Sequence, residues 1–434
     1  MNLYRCIQPD GPLDADIAVP GSKSISNRAL VTAALADGTT LLTNVLIAED
    51  TRLMIDGLAS LGVSITVDAH THRVEVTGCG GHVPADEADI FCGNAGTVMR
   101  FLAAVAAVGH GRYRLDGVPR MRERPIRALA DVLQALGAGI AFPSADGFPP
   151  VEIRARHLTG GHVAFDTPES SQFVSAVLLA GPYARRDVLI DVRGAVTSAP
   201  YLTMTTAVMD AFGVAVVERY HEHGARFIVE ASQRYTGRTY AIEPDASNAM
   251  YFLAAPAIAG GRVTVKGLGT ESIQGDVGFV DVLERMGCRV RRGPSELTVA
   301  APESEAPLRG VDVDLNDMPD TAPTLAVLAV FATGSTTIRN VANLRVKETD
   351  RITALATELT KLGASVDERD DGLTIHPPTA VAPAAIDTYR DHRIAMSFAL
   401  AGLRCPGLVI HDPDCCAKTC PDFFTRWTRM VTPA

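Results

Sequence analysis

The chain has 434 residues, 47% apolar and 21% charged, with a formal net charge of −10 at pH 7. That charge argues against a broad nucleic-acid or anionic-membrane surface. The apolar content excludes general disorder, and the length calls for two or more domains. No run of about 18 apolar residues marks a membrane span, and MNLYRCIQPDGPLD lacks the basic-then-apolar layout of a secretion signal. Eight cysteines without a CxxC pair read as reduced thiols, so a cytoplasmic protein is expected.

The first strong signal along the chain is GSKSISNR, residues 21–28, ahead of an apolar run at 29–36. Its serines suit the free amides of a helix start, and those amides with Lys23 and Arg28 also suit an anion. Taken alone, it reads as a polar cap. LMIDGLASLGVSITVD then gives an amphipathic helix ending at Gly62 and a strand. GNAGTVMR opens a second apolar helix, with PRMRERP and a helix ending at Gly137 behind it. ESSQ, residues 169–172, opens a third, and LTMTTAVMDAFGVAVVE ends its helix at Gly213. HEHG, with His221 and His223, reads as a solvated turn between strands.

DASNAM opens at Asp245, with the following helix ending at Gly287. PDTAPT carries Asp320, and NLRVKETDR precedes a helix ending at Gly363. YRDHRIA carries Asp391, His392 and Arg393, DPDCCAKT carries Lys418, and PDFFTRWTRM is a final helix. Cys415, Cys416 and Cys420 cluster here, but with no fourth ligand at zinc spacing they read as thiols.

The helix-ending glycines recur every 74–76 residues by subtraction, which marks a repeat. The expected architecture is six helix–strand–helix–hairpin units of about 75 residues, in an α/β chain. The sixth lacks its closing strands, which the N-terminal LYRCIQPDGPLDADIAV is expected to supply. One lobe then comprises residues 1–20 with 241–434, the other 21–240, three units each, with a ligand cleft between them.

The openers carry more chemistry than capping needs. Lysines and arginines concentrated at helix starts of an acidic protein suit a small multiply charged anion, phosphate or carboxylate. Asp320 and Glu348 within such a basic site are the natural proton handlers.

GSKSISNRAL, GNAGTVMR, PRMRERPI, ESSQF, SAPYLTMT, MPDTAPT, NLRVKETDRI, YRDHRIAM and AKTCPDFF occur in order from residue 21 to 424. Together they resemble the 5-enolpyruvylshikimate-3-phosphate synthase family. The resemblance implies two lobes of three βαβαββ units each. It also implies transfer of the enolpyruvyl group of phosphoenolpyruvate to the 5-hydroxyl of shikimate 3-phosphate, on the route to chorismate and the aromatic amino acids. It implies no metal or organic cofactor, no nucleic acid, no membrane, and a monomer.

Carried onto this sequence, the resemblance gives shikimate 3-phosphate to Lys23, Ser24, Arg28, Ser170, Ser171, Gln172, Ser198, Tyr201, Asp320, Asn343 and Lys347. It gives phosphoenolpyruvate to Lys23, Asn94, Gly96, Arg124, Gln172, Arg351, Arg393 and Lys418, with His392 beside them and Arg100 in support. Asp320 accepts the hydroxyl proton, and Glu348 protonates C3, with Lys23 the competing donor. Gly96 implies a glyphosate-sensitive type, because an added methyl would narrow the pocket. Cys92 and Ala199 are local departures. Two rivals are a UDP-N-acetylglucosamine enolpyruvyl transferase, against which VPRMRERP lacks a cysteine, and a non-catalytic polyanion-binding repeat protein, against which stand the acidic charge and 6% aromatics.

Overall fold

Gly62, Gly137, Gly213, Gly287 and Gly363 all have positive φ, from +88° to +111°, each just past a helix end. That left-handed step releases the chain from the helix and turns it into the next strand. The computed structural model describes residues 2–303 and 308–432. Two compact units divide it, Gly21–Ile242 and Met1–Pro20 with Glu243–Ala434.

The unit Gly21–Ile242 contains helices α1 (Lys23–Leu35), α2 (Glu49–Ser60), α3 (Gly96–Val108), α4 (Arg127–Ala135), α5 (Ser171–Ala180) and α6 (Ala199–Ala211). The openers form α1, α3 and α5; α3 and α5 are apolar almost all round, and all three are largely buried, α1 with polar Ser26, Asn27, Arg28 and Thr32 among its buried residues. Serine side chains cap two of them: Ser22 Oγ accepts from the Ile25 amide and Ser170 Oγ from the Gln172 amide. Three four-stranded sheets complete this unit. In one, Glu87–Phe91 runs parallel to Arg112–Asp116, which pairs antiparallel with the hairpin strand Val151–Arg154.

The other unit contains α7 (Ala246–Ala254), α8 (Pro256–Ala259), α9 (Phe279–Arg285), α10 (Ala322–Ala329), α11 (Arg351–Lys361), α12 (His392–Gly402) and α13 (Phe423–Val431). Its described residues form two four-stranded sheets and one of three strands. Every residue of α12 is buried. The last helix packs by aromatics: Trp427 stacks on Phe423 at 5.5 Å and meets Phe252 of α7 at 5.7 Å.

The expectation for the N-terminal strands needs correction. Leu3–Arg5 does join the last sheet, antiparallel to Val409–His411. Leu13–Ile17 instead runs parallel to Gly261–Lys266, and Thr239–Ala241 runs parallel to Thr39–Thr43. Each sheet begins with a parallel strand that needs a crossover helix. At both places where the chain leaves one unit, the strand before the passage stays behind. Leu13–Ile17 pairs with the strand that follows the return, and Thr239–Ala241 with the strand that followed the entry into its unit.

Candidate active site

Within Gly21–Ile242, the start of α1 holds a half-buried cation, Lys23, and a buried one, Arg28, in different company. Lys23 Nζ lies 3.4 Å from Asp50 Oδ2 near the start of α2. Arg28, 2% exposed, donates to Thr205 Oγ1 at 2.8 Å, Ser24 O at 2.9 Å, Tyr201 O at 3.1 Å and Ser175 Oγ at 3.4 Å. Its guanidinium also lies 5.4 Å from the Phe101 ring centroid and 6.0 Å from that of Tyr201. Those partners are neutral, and burial pulls the Arg28 pKa down to about 10, against a small opposing pull from Tyr201.

The start of α3 is a second basic place. Arg124 Nη1 donates to the Asn94 carbonyl at 2.8 Å, and Arg100 Nη2 to the Pro125 carbonyl at 2.9 Å; both arginines are buried. Gly96 is the first residue of α3. A Cβ there would stand 2.5 Å from both Arg100 Nη1 and Arg124 Nη2, so only glycine leaves room for the two guanidinium groups. Gln172 Nε2 donates to Thr97 Oγ1 at 3.2 Å, tying the first turn of α5 to that of α3. Ser171 is buried at the start of α5. Ser198 precedes α6 with a left-handed backbone, φ 54° and ψ 52°.

In the other unit, one ionic network gathers four segments. Asp320 sits in the short turn Pro319–Thr321 ahead of α10. Its Oδ1 accepts from Arg351 Nη1 at 3.1 Å and faces Lys347 Nζ at 3.7 Å, while Oδ2 accepts from Arg393 Nη2 at 2.6 Å. Arg351 opens α11 and also reaches Glu348 Oε2 at 2.8 Å and Asp391 Oδ2 at 2.8 Å. Asp391 caps α12, accepting from the Arg393 amide at 2.9 Å, with His392 Nδ1 3.7 Å from its Oδ1. Lys418 Nζ lies 3.6 Å from Glu348 Oε1. Asn343 lies in the turn Ala342–Val346 that leads to Lys347.

Burial works against the Arg351 charge, but Asp391, Glu348 and Asp320 outweigh it and hold the guanidinium above its ordinary pKa. Beside them, burial first and the Asp320 charge second push the Asp276 carboxyl up to about 6, against the hydrogen bond from Ser247. Four cations thus face three carboxylates, Asp320, Glu348 and Asp391, with a fourth acid held toward neutrality. Such a place can exchange internal carboxylates for the oxygens of an anionic ligand.

A family model described as EPSP synthase (3-phosphoshikimate 1-carboxyvinyltransferase) matches residues 7–427. The chain belongs to the EPSP synthase family. A relative from Trichormus variabilis named 3-phosphoshikimate 1-carboxyvinyltransferase is 48% identical over 420 residues, 97% of each chain. One of the same name from a Shewanella species is 47% identical over 427 residues, 98% of each. Among solved structures, an EPSP synthase from Acinetobacter baumannii superposes with a TM-score of 0.79 at 28% identity, covering 98% of this chain and 97% of that one. The enolpyruvyl transferase NikO from Streptomyces tendae shares the fold, with a TM-score of 0.74 at 20% identity over 98% and 96% of the two chains.

Against the EPSP synthase motifs, the structure gathers Asp320, Lys347, Glu348, Arg351, His392, Arg393 and Lys418 in one unit. In the other it joins Arg28 to Ser24 and Tyr201, Arg124 to Asn94 and Gly96, and sets Ser170 and Gln172 at the start of α5. Asp50, Thr97, Ser175, Thr205 and Asp276 escaped the sequence reading. Each is a partner brought in from a remote segment, a relation that motif spacing does not carry. Among the described residues no cluster of three His, Cys, Asp or Glu side chains is arranged to hold a metal ion. All eight cysteines are free, and among the described residues no helix is long and apolar enough to cross a membrane.

Proposed function

We propose that this protein transfers the enolpyruvyl group of phosphoenolpyruvate to the 5-hydroxyl of shikimate 3-phosphate and releases inorganic phosphate. The observation that carries the reading is the Asp320 network. It holds two guanidinium groups and two ammonium groups about carboxylates able to move protons, inside a chain of the EPSP synthase family.

On this reading Arg351, Arg393 and Lys418, with Asn94, Gly96 and Arg124, grip phosphoenolpyruvate, and His392 packs beside that grip. Arg28, whose described partners are neutral, takes an anionic group of shikimate 3-phosphate together with Ser24, Ser170, Ser171, Ser198, Tyr201, Asn343 and Lys347. Lys23 and Gln172 touch both ligands.

The reaction is an addition followed by an elimination. The 5-oxygen forms a bond to C2 of phosphoenolpyruvate, Asp320 takes the hydroxyl proton, and C3 gains a proton from Glu348, with Lys23 the alternative donor. Phosphate then leaves C2 with the electron pair of its C–O bond, and C3 returns a proton to restore the double bond. Ligand oxygens entering the grip displace Asp320 from Arg351 and Arg393, which leaves its carboxylate available to the hydroxyl. The reading includes a monomer acting in the cytoplasm, with no metal or organic cofactor in the reaction.

The test is phosphate release from phosphoenolpyruvate with shikimate 3-phosphate, with UDP-N-acetylglucosamine, or with no acceptor. Release only with shikimate 3-phosphate is expected. Release with the UDP-sugar alone would overturn the assignment.

A further inference from the structure

The segment leading into α12 is held against its own backbone preference. Tyr389 and Arg390 are consecutive non-glycine residues with φ of 54° and 57°. The Asp391 amide donates to the Thr388 carbonyl at 2.8 Å, closing a four-residue turn with both central residues left-handed. That turn pattern selects glycine, asparagine or aspartate, because a larger side chain there meets its own carbonyl. A tyrosine followed by an arginine stays in it only when neighbouring structure over-determines the conformation.

The neighbour is Glu358 of α11, which is 0% exposed to solvent on a relative scale by its side chain. Its Oε1 accepts from the Tyr389 hydroxyl at 2.6 Å, and its Oε2 from the Asp387 amide at 3.0 Å and Lys361 Nζ at 2.8 Å. The carboxylate therefore fixes the turn at two points. Glu358 stands seven residues, two turns, after Arg351 on the same face of α11. At the far side of the turn, Asp391 holds Arg351 Nε at 2.8 Å and Nη2 at 3.1 Å and caps the amide of Arg393. One carboxylate thus ties the helix that supplies Arg351 to the turn that supplies Asp391.

We propose that Glu358 and Tyr389 are positioning residues, a clamp that keeps Asp391 where it holds the Arg351 guanidinium and caps the backbone amide of Arg393. The inference rests on the functional reading above, in which those two arginines grip phosphoenolpyruvate. Neither clamp residue touches substrate.

Tyr389→Phe removes the hydroxyl and keeps the ring. The expected result is a KM for phosphoenolpyruvate raised by about tenfold, with that for shikimate 3-phosphate changed by less than about twofold. Hydrogen exchange at the amides of residues 391–394 becomes faster at the same time. Adding Arg390→Gly restores both values, because glycine adopts the left-handed step without help. Unchanged exchange overturns the clamp, and so does faster exchange with an unmoved phosphoenolpyruvate KM, or a loss that glycine does not rescue. A wild-type protein without shikimate-dependent phosphate release would instead overturn the functional reading, and the exchange measurement would then decide the clamp by itself.

Discussion

Arg393 Nη2 lies 2.6 Å from Asp320 Oδ2, so the proposed base is held by a guanidinium that the functional reading assigns to phosphoenolpyruvate. With Arg351 on the other carboxylate oxygen, the resting site is closed by internal ion pairs. Removing Asp320 therefore takes one carboxylate away from each arginine while it deletes the proton acceptor, and leaves Arg351 on Asp391 and Glu348. Asp320→Ala is expected to lower kcat on the order of 100-fold or more with little loss of phosphoenolpyruvate binding. Steady-state kinetics with both substrates varied would check this, and near-normal kcat would remove Asp320 from its role.

Lys23 is assigned to both ligands and is ion-paired to Asp50 at 3.4 Å. Lys23→Ala is expected to raise both KM values and to lower kcat. The donor to C3 is separable by isotope: in deuterated water Glu348→Gln should stop label entering C3 of recovered phosphoenolpyruvate. Label entering at the wild-type rate would move the role to Lys23.

Gly96→Ala brings a methyl within 2.5 Å of Arg100 Nη1 and Arg124 Nη2. Both guanidinium groups must shift, and Arg124 carries the phosphoenolpyruvate side of the proposal. The expected outcome is a phosphoenolpyruvate KM raised about tenfold or more, the shikimate 3-phosphate KM nearly unchanged, and weaker inhibition by glyphosate. Equal rises in both constants would contradict this placement.

Arg351 is the most exposed to loss among the structural ion pairs because it is itself buried among three carboxylates. Arg351→Met leaves those charges uncompensated and is expected to cost about 3–5 kcal/mol of stability. Thermal unfolding should show it as a clear fall in Tm, and an unchanged Tm would mean that the network contributes little.

Asp276 gives a pH signature. Its carboxyl is raised from an ordinary 3.8 to about 6, so the folded chain keeps a proton that the unfolded chain has lost. Stability should therefore fall as pH rises from about 4 to about 6 and flatten above, by about 3 kcal/mol in total. Urea unfolding across that range, compared with Asp276→Asn, isolates the effect. The variant should lack that part of the slope, and parallel curves would contradict the assignment.

Much of the fold was legible because its punctuation is local. Gly62, Gly137, Gly213, Gly287 and Gly363 end helices for backbone reasons that a sequence displays directly, and Ser22, Ser170 and Asp391 cap helices with their own side chains. The exchange of Leu13–Ile17 and Thr239–Ala241 between sheets was not legible, since every strand in the chain offers similar edges and only tertiary closure selects a partner. The site divided the same way. Asp320, Arg351 and Arg393 stood out by type and place, whereas Asp50 and Glu358 look like ordinary helix surface until folding buries them.

The most direct test of the enolpyruvyl-transfer account is to follow carbon-13 from C2 of labelled phosphoenolpyruvate by NMR, with shikimate 3-phosphate present. The account predicts that label appears in an enol ether on the 5-oxygen, with one inorganic phosphate released per ether formed. Label that stays in phosphoenolpyruvate, or emerges only as pyruvate, would contradict it.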